Sequence, residues 1–163
     1  MSEGTIKEVP PAGMINLADA SLGAEAICAS DEFFAPIDRL LSPDEPVFLK
    51  GTYDDHGQWM DGWETRRRRN DGFDFCIIKL ARPGVIRFID LDTRFFIGNF
   101  APHCSIQVTG HADPLDPDTE WTSILPARSL AGNDHNLFRI DNDATWQYLR
   151  LKLFPDGGIA RLR

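Results

Sequence analysis

Cysteine is scarce in this chain: three in 163 residues, at positions 28, 76 and 104. An odd number at such wide spacing argues against a disulfide framework. Cys28, Cys76 and Cys104 all fall in apolar, strand-like runs, so they read as buried free thiols of a protein kept reduced, here in the cytoplasm. No apolar run approaches the length of a membrane span, and no secretory leader pattern opens the chain. Gly-rich phosphate cradle, nucleophile elbow and dinucleotide fingerprint are all missing. His56, His103, His111 and His135 show no paired-ligand spacing, so no metal cofactor is expected. The one alternative, a divalent ion such as Mn²⁺, would call on His111 with Asp113, Asp116 and Asp118, which Pro114 and Pro117 hold apart. Positive charge is also in deficit. Seventeen Lys and Arg face 25 Asp and Glu, a net charge of -8, which excludes a general nucleic-acid surface.

Against that acidic background, residues 61 to 69 read Asp-Gly-Trp-Glu-Thr-Arg-Arg-Arg-Arg. Guanidinium forks hold small carboxylates or phosphates by paired hydrogen bonds, and a nearby carboxylate can give or take a proton. Arg66 to Arg69 beside Asp61 and Glu64 therefore point to a site for a small anion, with the Trp63 ring as apolar wall. The bland alternative is a solvated loop whose arginines pair with surface carboxylates.

The length fits one domain with a full core. Residues 1–14 read as a loose arm, marked by Gly4, Pro10, Pro11 and Gly13. Residues 15–163 read as short strands broken by turns. Strand runs are predicted at 24–29, 74–80, 84–91, 103–109, 121–125, 136–140 and 146–154, with Arg82-Pro83-Gly84 as the turn between the second and third. Cys104, Ile106 and Val108 alternate onto one face, as do Leu149, Leu151 and Leu153 against Tyr148, Arg150 and Lys152. Only residues 32–41 tempt a helix, and Pro36 limits it to about a turn. The pattern predicts an all-β sandwich or jelly roll.

Three further groups carry candidate chemistry. Asp92 and Thr93 end a strand before the Gly98-Asn99 turn, in binding position or merely as backbone caps. His135 follows Gly132-Asn133-Asp134 in a turn and is a candidate proton carrier. Pro155-Asp156-Gly157-Gly158 reads as a hairpin turn.

In order along the chain, these pieces resemble the allantoicase family. The strings are Asn16-Leu17-Ala18 with Gly23-Ala24-Glu25, Ser30-Asp31-Glu32-Phe33-Phe34 and Trp59-Met60-Asp61-Gly62-Trp63-Glu64-Thr65-Arg66-Arg67. They continue through Pro83-Gly84-Val85-Ile86, Asp92-Thr93, Phe96, Gly98-Asn99, Trp121 and Leu125-Pro126 to Pro155-Asp156-Gly157-Gly158-Ile159-Ala160-Arg161-Leu162. The resemblance implies a jelly-roll β-sandwich of the galactose-binding type. It also implies hydrolysis of allantoate to ureidoglycolate and urea in allantoin breakdown. Family members usually carry two repeats, and this chain has one, resembling the N-terminal one; it is expected to be either a piece of a two-repeat protein or a single repeat that self-associates into a homo-oligomer. On the chemistry of that substrate, Glu64 takes the acid/base task with Asp61 in support and His135 as a further proton carrier. Arg66 and Arg67 take the substrate carboxylate, and Asp31, Glu32, Thr93 and Asn99 the ureido groups. The competing reading is a non-catalytic repeat for ligand or carbohydrate binding or for assembly.

Overall fold

Leu149, Leu151 and Leu153 point into the protein at 3%, 0% and 0% exposure, while Tyr148, Arg150 and Lys152 between them are half-buried on the other face. That alternation sets the central strand of the larger sheet. The computed structural model describes residues 10–110 and 112–163. In chain order the strands are β1 (Glu25–Ala29), β2 (Tyr53–Asp54), β3 (Gly57–Gln58), β4 (Trp63–Glu64), β5 (Asp74–Val85) and β6 (Phe88–Asp92). They continue with β7 (His103–Thr109), β8 (Thr122–Ser129), β9 (His135–Arg139), β10 (Thr145–Phe154), β11 (Gly158–Ile159) and β12 (Arg161–Leu162).

One antiparallel sheet has the order β1-β5-β10-β7-β8 and the other β12-β6-β9. Ile78, Ile106 and Leu151 from the first join Ile89, Leu91 and Leu162 from the second in a single apolar cluster. Two sheets sharing one core make the expected sandwich. Two short ribbons, β4-β11 and β2-β3, decorate one end. The helical stretch after Pro36 is a single 3-10 turn, Ile37–Leu41, and a second covers Ala20–Leu22. No described helix is long and apolar enough to cross a membrane. Cys28, Cys76 and Cys104 are free; Cys76 and Cys104 are fully buried, which pushes the Cys104 thiol up to about 12.

Two turn predictions need correction. Arg82-Pro83-Gly84 does not reverse the chain: β5 runs through it. The β10 register jumps there, from Trp146 opposite Gly84 to Tyr148 opposite Lys79, so the extra residues bulge outward. Proline has no N–H for the ladder, and a bulge absorbs that loss without ending the strand. The Gln147 side-chain amide donates to the Leu80 carbonyl at 2.9 Å in the gap. Pro155-Asp156-Gly157-Gly158 is likewise no hairpin, because β11 leaves β10 and pairs with β4. Its glycines are required by crowding. A Cβ at Gly157 would lie 2.4 Å from the Ala101 amide nitrogen, and one at Gly158 2.1 Å from the Phe96 ring.

Candidate active site

That crowded corner joins the two most distinctive strings of the sequence. Gly158 pairs with Glu64 and Ile159 with Trp63. The Thr65 amide donates to the Gly157 carbonyl at 3.1 Å, and the Gly157 amide returns a 3.0 Å bond to the Thr65 hydroxyl. On its other edge Glu64 exchanges backbone bonds with Ala35 at 3.2 and 3.3 Å. The main chain of Glu64 is thus fixed from both sides.

Its side chain enters a cleft of about 270 Å³ lined by Phe34, His56, Gln58, Phe95, Gly98 and Asn99, among others. Glu64 is 9% exposed, and its Oε1 accepts a 2.9 Å bond from the Asn99 side-chain amide. Burial pushes the carboxyl above the usual carboxylate range; the Asn99 amide opposes that shift and the Asp54 charge adds to it. A carboxyl that holds its proton more tightly than usual, in a small cleft, can give that proton to a leaving group.

The loop 94–99 that carries Asn99 is braced rather than loose. Phe95 holds φ 71°, a left-handed conformation rare for a bulky side chain. Its amide donates to the Asn133 side-chain oxygen at 2.9 Å, and the Phe96 amide to the Thr93 carbonyl at 2.9 Å. Thr93, fully buried, donates its hydroxyl to the Ala131 carbonyl at 2.6 Å. Thr93 therefore anchors the loop and does not face the cleft. The other wall is the β2-β3 ribbon, whose base is pinned by the Gln58 amide reaching the carbonyls of Leu49, Thr52 and Trp59 at 2.9 to 3.2 Å.

Of the predicted side chains, the cleft brings together Glu64 and Asn99. Asp61 is elsewhere: its Oδ2 accepts from Arg161 Nη2 at 2.8 Å and from the Val47 amide at 3.0 Å. Arg161, 1% exposed, also donates to the carbonyls of Asp44, Asp61 and Ala160, so each nitrogen of the buried cation has a partner and Asp61 is its counter-charge. His135 lines a separate apolar cavity of about 740 Å³ beside Leu80, Leu149 and Leu162. There its Nδ1 lies 2.7 Å from Asp90 Oδ2, on a carboxyl that burial raises and the histidine lowers.

The arginine run does not converge on one ligand. Arg66 Nε binds Asp31 Oδ2 at 2.8 Å, with the arginine side chain 62% exposed. Burial raises the Asp31 carboxyl, but bonds from the Phe33 amide and Arg66 outweigh it and leave the group below its usual range. Arg68 donates from its amide to Asp156 and from Nη1 to Asp74. Arg67 is exposed, with no ion pair among the described residues. Glu32 accepts from the Ile37 amide at 2.8 Å and caps the 3-10 turn. Trp63 is fully buried, its indole N–H on the Asp31 carbonyl at 2.8 Å, so its ring belongs to the core and not to a ligand wall. Of the four residues named for a cation, Asp113 and Asp116 accept amides of their own loop, and His111 lies outside the described residues.

The sequence reading assigned nothing between residues 43 and 58, and so missed the ribbon and His56. Their sole advance signal is the turn composition of Asp54-Asp55-His56-Gly57.

The family model described as the allantoicase repeat matches residues 15–163. A probable allantoicase of Ralstonia nicotianae is 55% identical over 150 residues, covering 91% of this chain and 44% of that protein. A probable allantoicase of Rhizobium meliloti is 50% identical over 151 residues, covering 93% and 44%. The crystal structure of an allantoicase from Saccharomyces cerevisiae superposes with a TM-score of 0.77 at 32% identity, over 91% of this chain and 46% of that one. A carbohydrate-binding module from a Clostridium perfringens glycoside hydrolase superposes at 0.60 with 19% identity, over 88% of this chain and 90% of that one, which shows the shared galactose-binding-like fold alone. The chain spans less than half the length of the curated relatives it matches. With the repeat matched from residue 15 to residue 163, the chain belongs to the allantoicase family.

Proposed function

We propose that this chain carries the site of an allantoate hydrolase, releasing urea and ureidoglycolate, and that it works in the cytoplasm as a self-associated protein. The observation that supports this reading best is the buried Glu64 carboxyl, held by Asn99 at the floor of a small cleft. Allantoate is a small carboxylate bearing two ureido groups. Breaking one of its central C–N bonds requires a proton on the departing nitrogen, and a carboxyl that burial makes hold its proton more tightly than usual is suited to deliver it. Asn99 orients that carboxyl and offers an amide to the neighbouring ureido oxygen. Arg66, exposed and lying over the same Phe33 ring on which His56 stacks, lends positive potential that draws the substrate carboxylate in. The three free thiols suit a reducing compartment.

The test is urea release from allantoate by the purified chain, with Glu64→Gln beside it and the solution mass of both measured. Turnover by the parent and a loss of about 10²-fold or more in the variant support the proposal. A folded parent that neither binds nor turns over allantoate overturns it in favour of a ligand-holding or assembly repeat.

A further inference from the structure

The cleft holds a second titratable side chain that no part of the foregoing assignment uses. His56 sits at the tip of the β2-β3 ribbon, where its amide donates to Asp54 Oδ1 at 2.8 Å and Gly57 follows with φ 141°. The imidazole stacks on the Phe33 ring, centroids 4.0 Å apart and planes 30° apart. The other neighbours of Phe33 are Phe34, edge-on at 5.1 Å, and Arg66, whose guanidinium lies 5.0 Å from the ring centroid. A stacked imidazole is held by its face and keeps its ring edge, with both nitrogens, for other partners. Among the described residues neither nitrogen has a hydrogen bond or ion pair. His56 and Glu64 line the same cleft from opposite elements, ribbon and β4.

We infer that His56 is the base that works opposite Glu64 in the hydrolysis, an assignment that rests on the function proposed above. Water attacks the central carbon of allantoate and forms the new C–O bond. His56 takes the proton that this water loses. The C–N bond breaks, its electron pair goes to the departing nitrogen, and Glu64 gives that nitrogen its proton, so urea leaves neutral. The proton on His56 then returns to Glu64 through solvent, and the cycle closes with one water consumed. Two groups of different chemistry on opposite walls perform what one carboxyl cannot do at once, giving and taking a proton. The aromatic stack fixes the base while the exposed ribbon gives the cleft its opening.

His56→Phe preserves a ring on Phe33 and removes the proton carrier, so it separates chemistry from packing. Its kcat is expected to fall about 10²- to 10⁴-fold with KM changed only a few-fold. His56→Ala is expected to recover part of its rate when imidazole is added to the assay. Ring resonances of His56 in the parent, identified by their loss in His56→Phe, should shift saturably as allantoate is titrated. A His56→Phe protein that keeps its kcat, or His56 resonances unmoved at saturating allantoate, overturns the assignment. If Glu64→Gln is inactive while His56→Phe is active, only the role of His56 falls. If the parent itself neither binds nor turns over allantoate, the proposed function falls and takes this inference with it.

Discussion

Asn99 holds Glu64 twice: its side-chain amide donates to Glu64 Oε1 at 2.9 Å, and its carbonyl accepts the amide of Gly158, the residue paired with Glu64. Residues far apart in sequence thus meet through one asparagine. Because that loop is braced by Thr93 and Asn133, the carboxyl is placed by the second sheet as well as by its own ribbon. Asn99→Ala should therefore lower kcat about 10-fold or more while stability falls by about 1 kcal/mol, the usual net worth of one hydrogen bond. Steady-state kinetics with a denaturation curve checks both halves.

Gly158→Ala tests the crowding at the same corner. A methyl group placed 2.1 Å from the buried Phe96 ring forces one of them to move, and overpacking of this kind costs about 1–3 kcal/mol. Since Gly158 is the partner of Glu64, the displacement should reach the carboxyl and lower turnover as well. Urea titration together with the allantoate assay reads both effects, and unchanged stability would show that the corner yields freely.

Much of the sandwich can be read from period-two runs: Cys104, Ile106 and Val108 are each fully buried, and Leu149, Leu151 and Leu153 nearly so. Such runs are legible because burial on one face is a local rule. Arg82-Pro83-Gly84 misleads because the same residues make a turn or a bulge, and only the register of β10, distant in sequence, decides between them. The site is harder still. Glu64 could be picked out by chemistry, and Asn99 by its turn, but Asp61, Arg66 and Arg68 read as a ligand grip when their real partners, Arg161, Asp31 and Asp74, lie outside that string. Charge is visible in sequence; its partner is not.

Arg161 and Asp61 make the pair whose loss should be felt most. Arg161 is 1% exposed and donates to four oxygens, so removing it leaves the Asp61 carboxylate, itself 13% exposed, without its cation. Breaking a buried pair from one side costs about 3–5 kcal/mol, whereas replacing both partners costs much less. Arg161→Met is expected to destabilise by that amount, and adding Asp61→Asn to recover a substantial part of it. A double-mutant cycle by chemical denaturation measures the difference. Two single variants with additive effects would show that the ion pair contributes little.

Glu64 should also write a signature into stability against pH. Burial raises its folded-state pKa above the ordinary 4.5, so folding binds a proton more tightly than the unfolded chain does. Such a group stabilises the fold fully below the unfolded value, and that contribution is lost as pH rises through the folded value. Glu64→Gln has no proton to lose, and its side-chain oxygen can still accept from Asn99. At pH 4 the parent and Glu64→Gln should therefore melt close together. As pH rises from the unfolded value toward neutrality the parent should lose ground, so that Glu64→Gln melts higher at pH 7 while turning over allantoate more slowly. Melting temperatures of the two proteins across that window decide it: a gap that stays constant, or that opens toward acid, would mean that the folded protein holds the Glu64 proton no more tightly than the unfolded chain does.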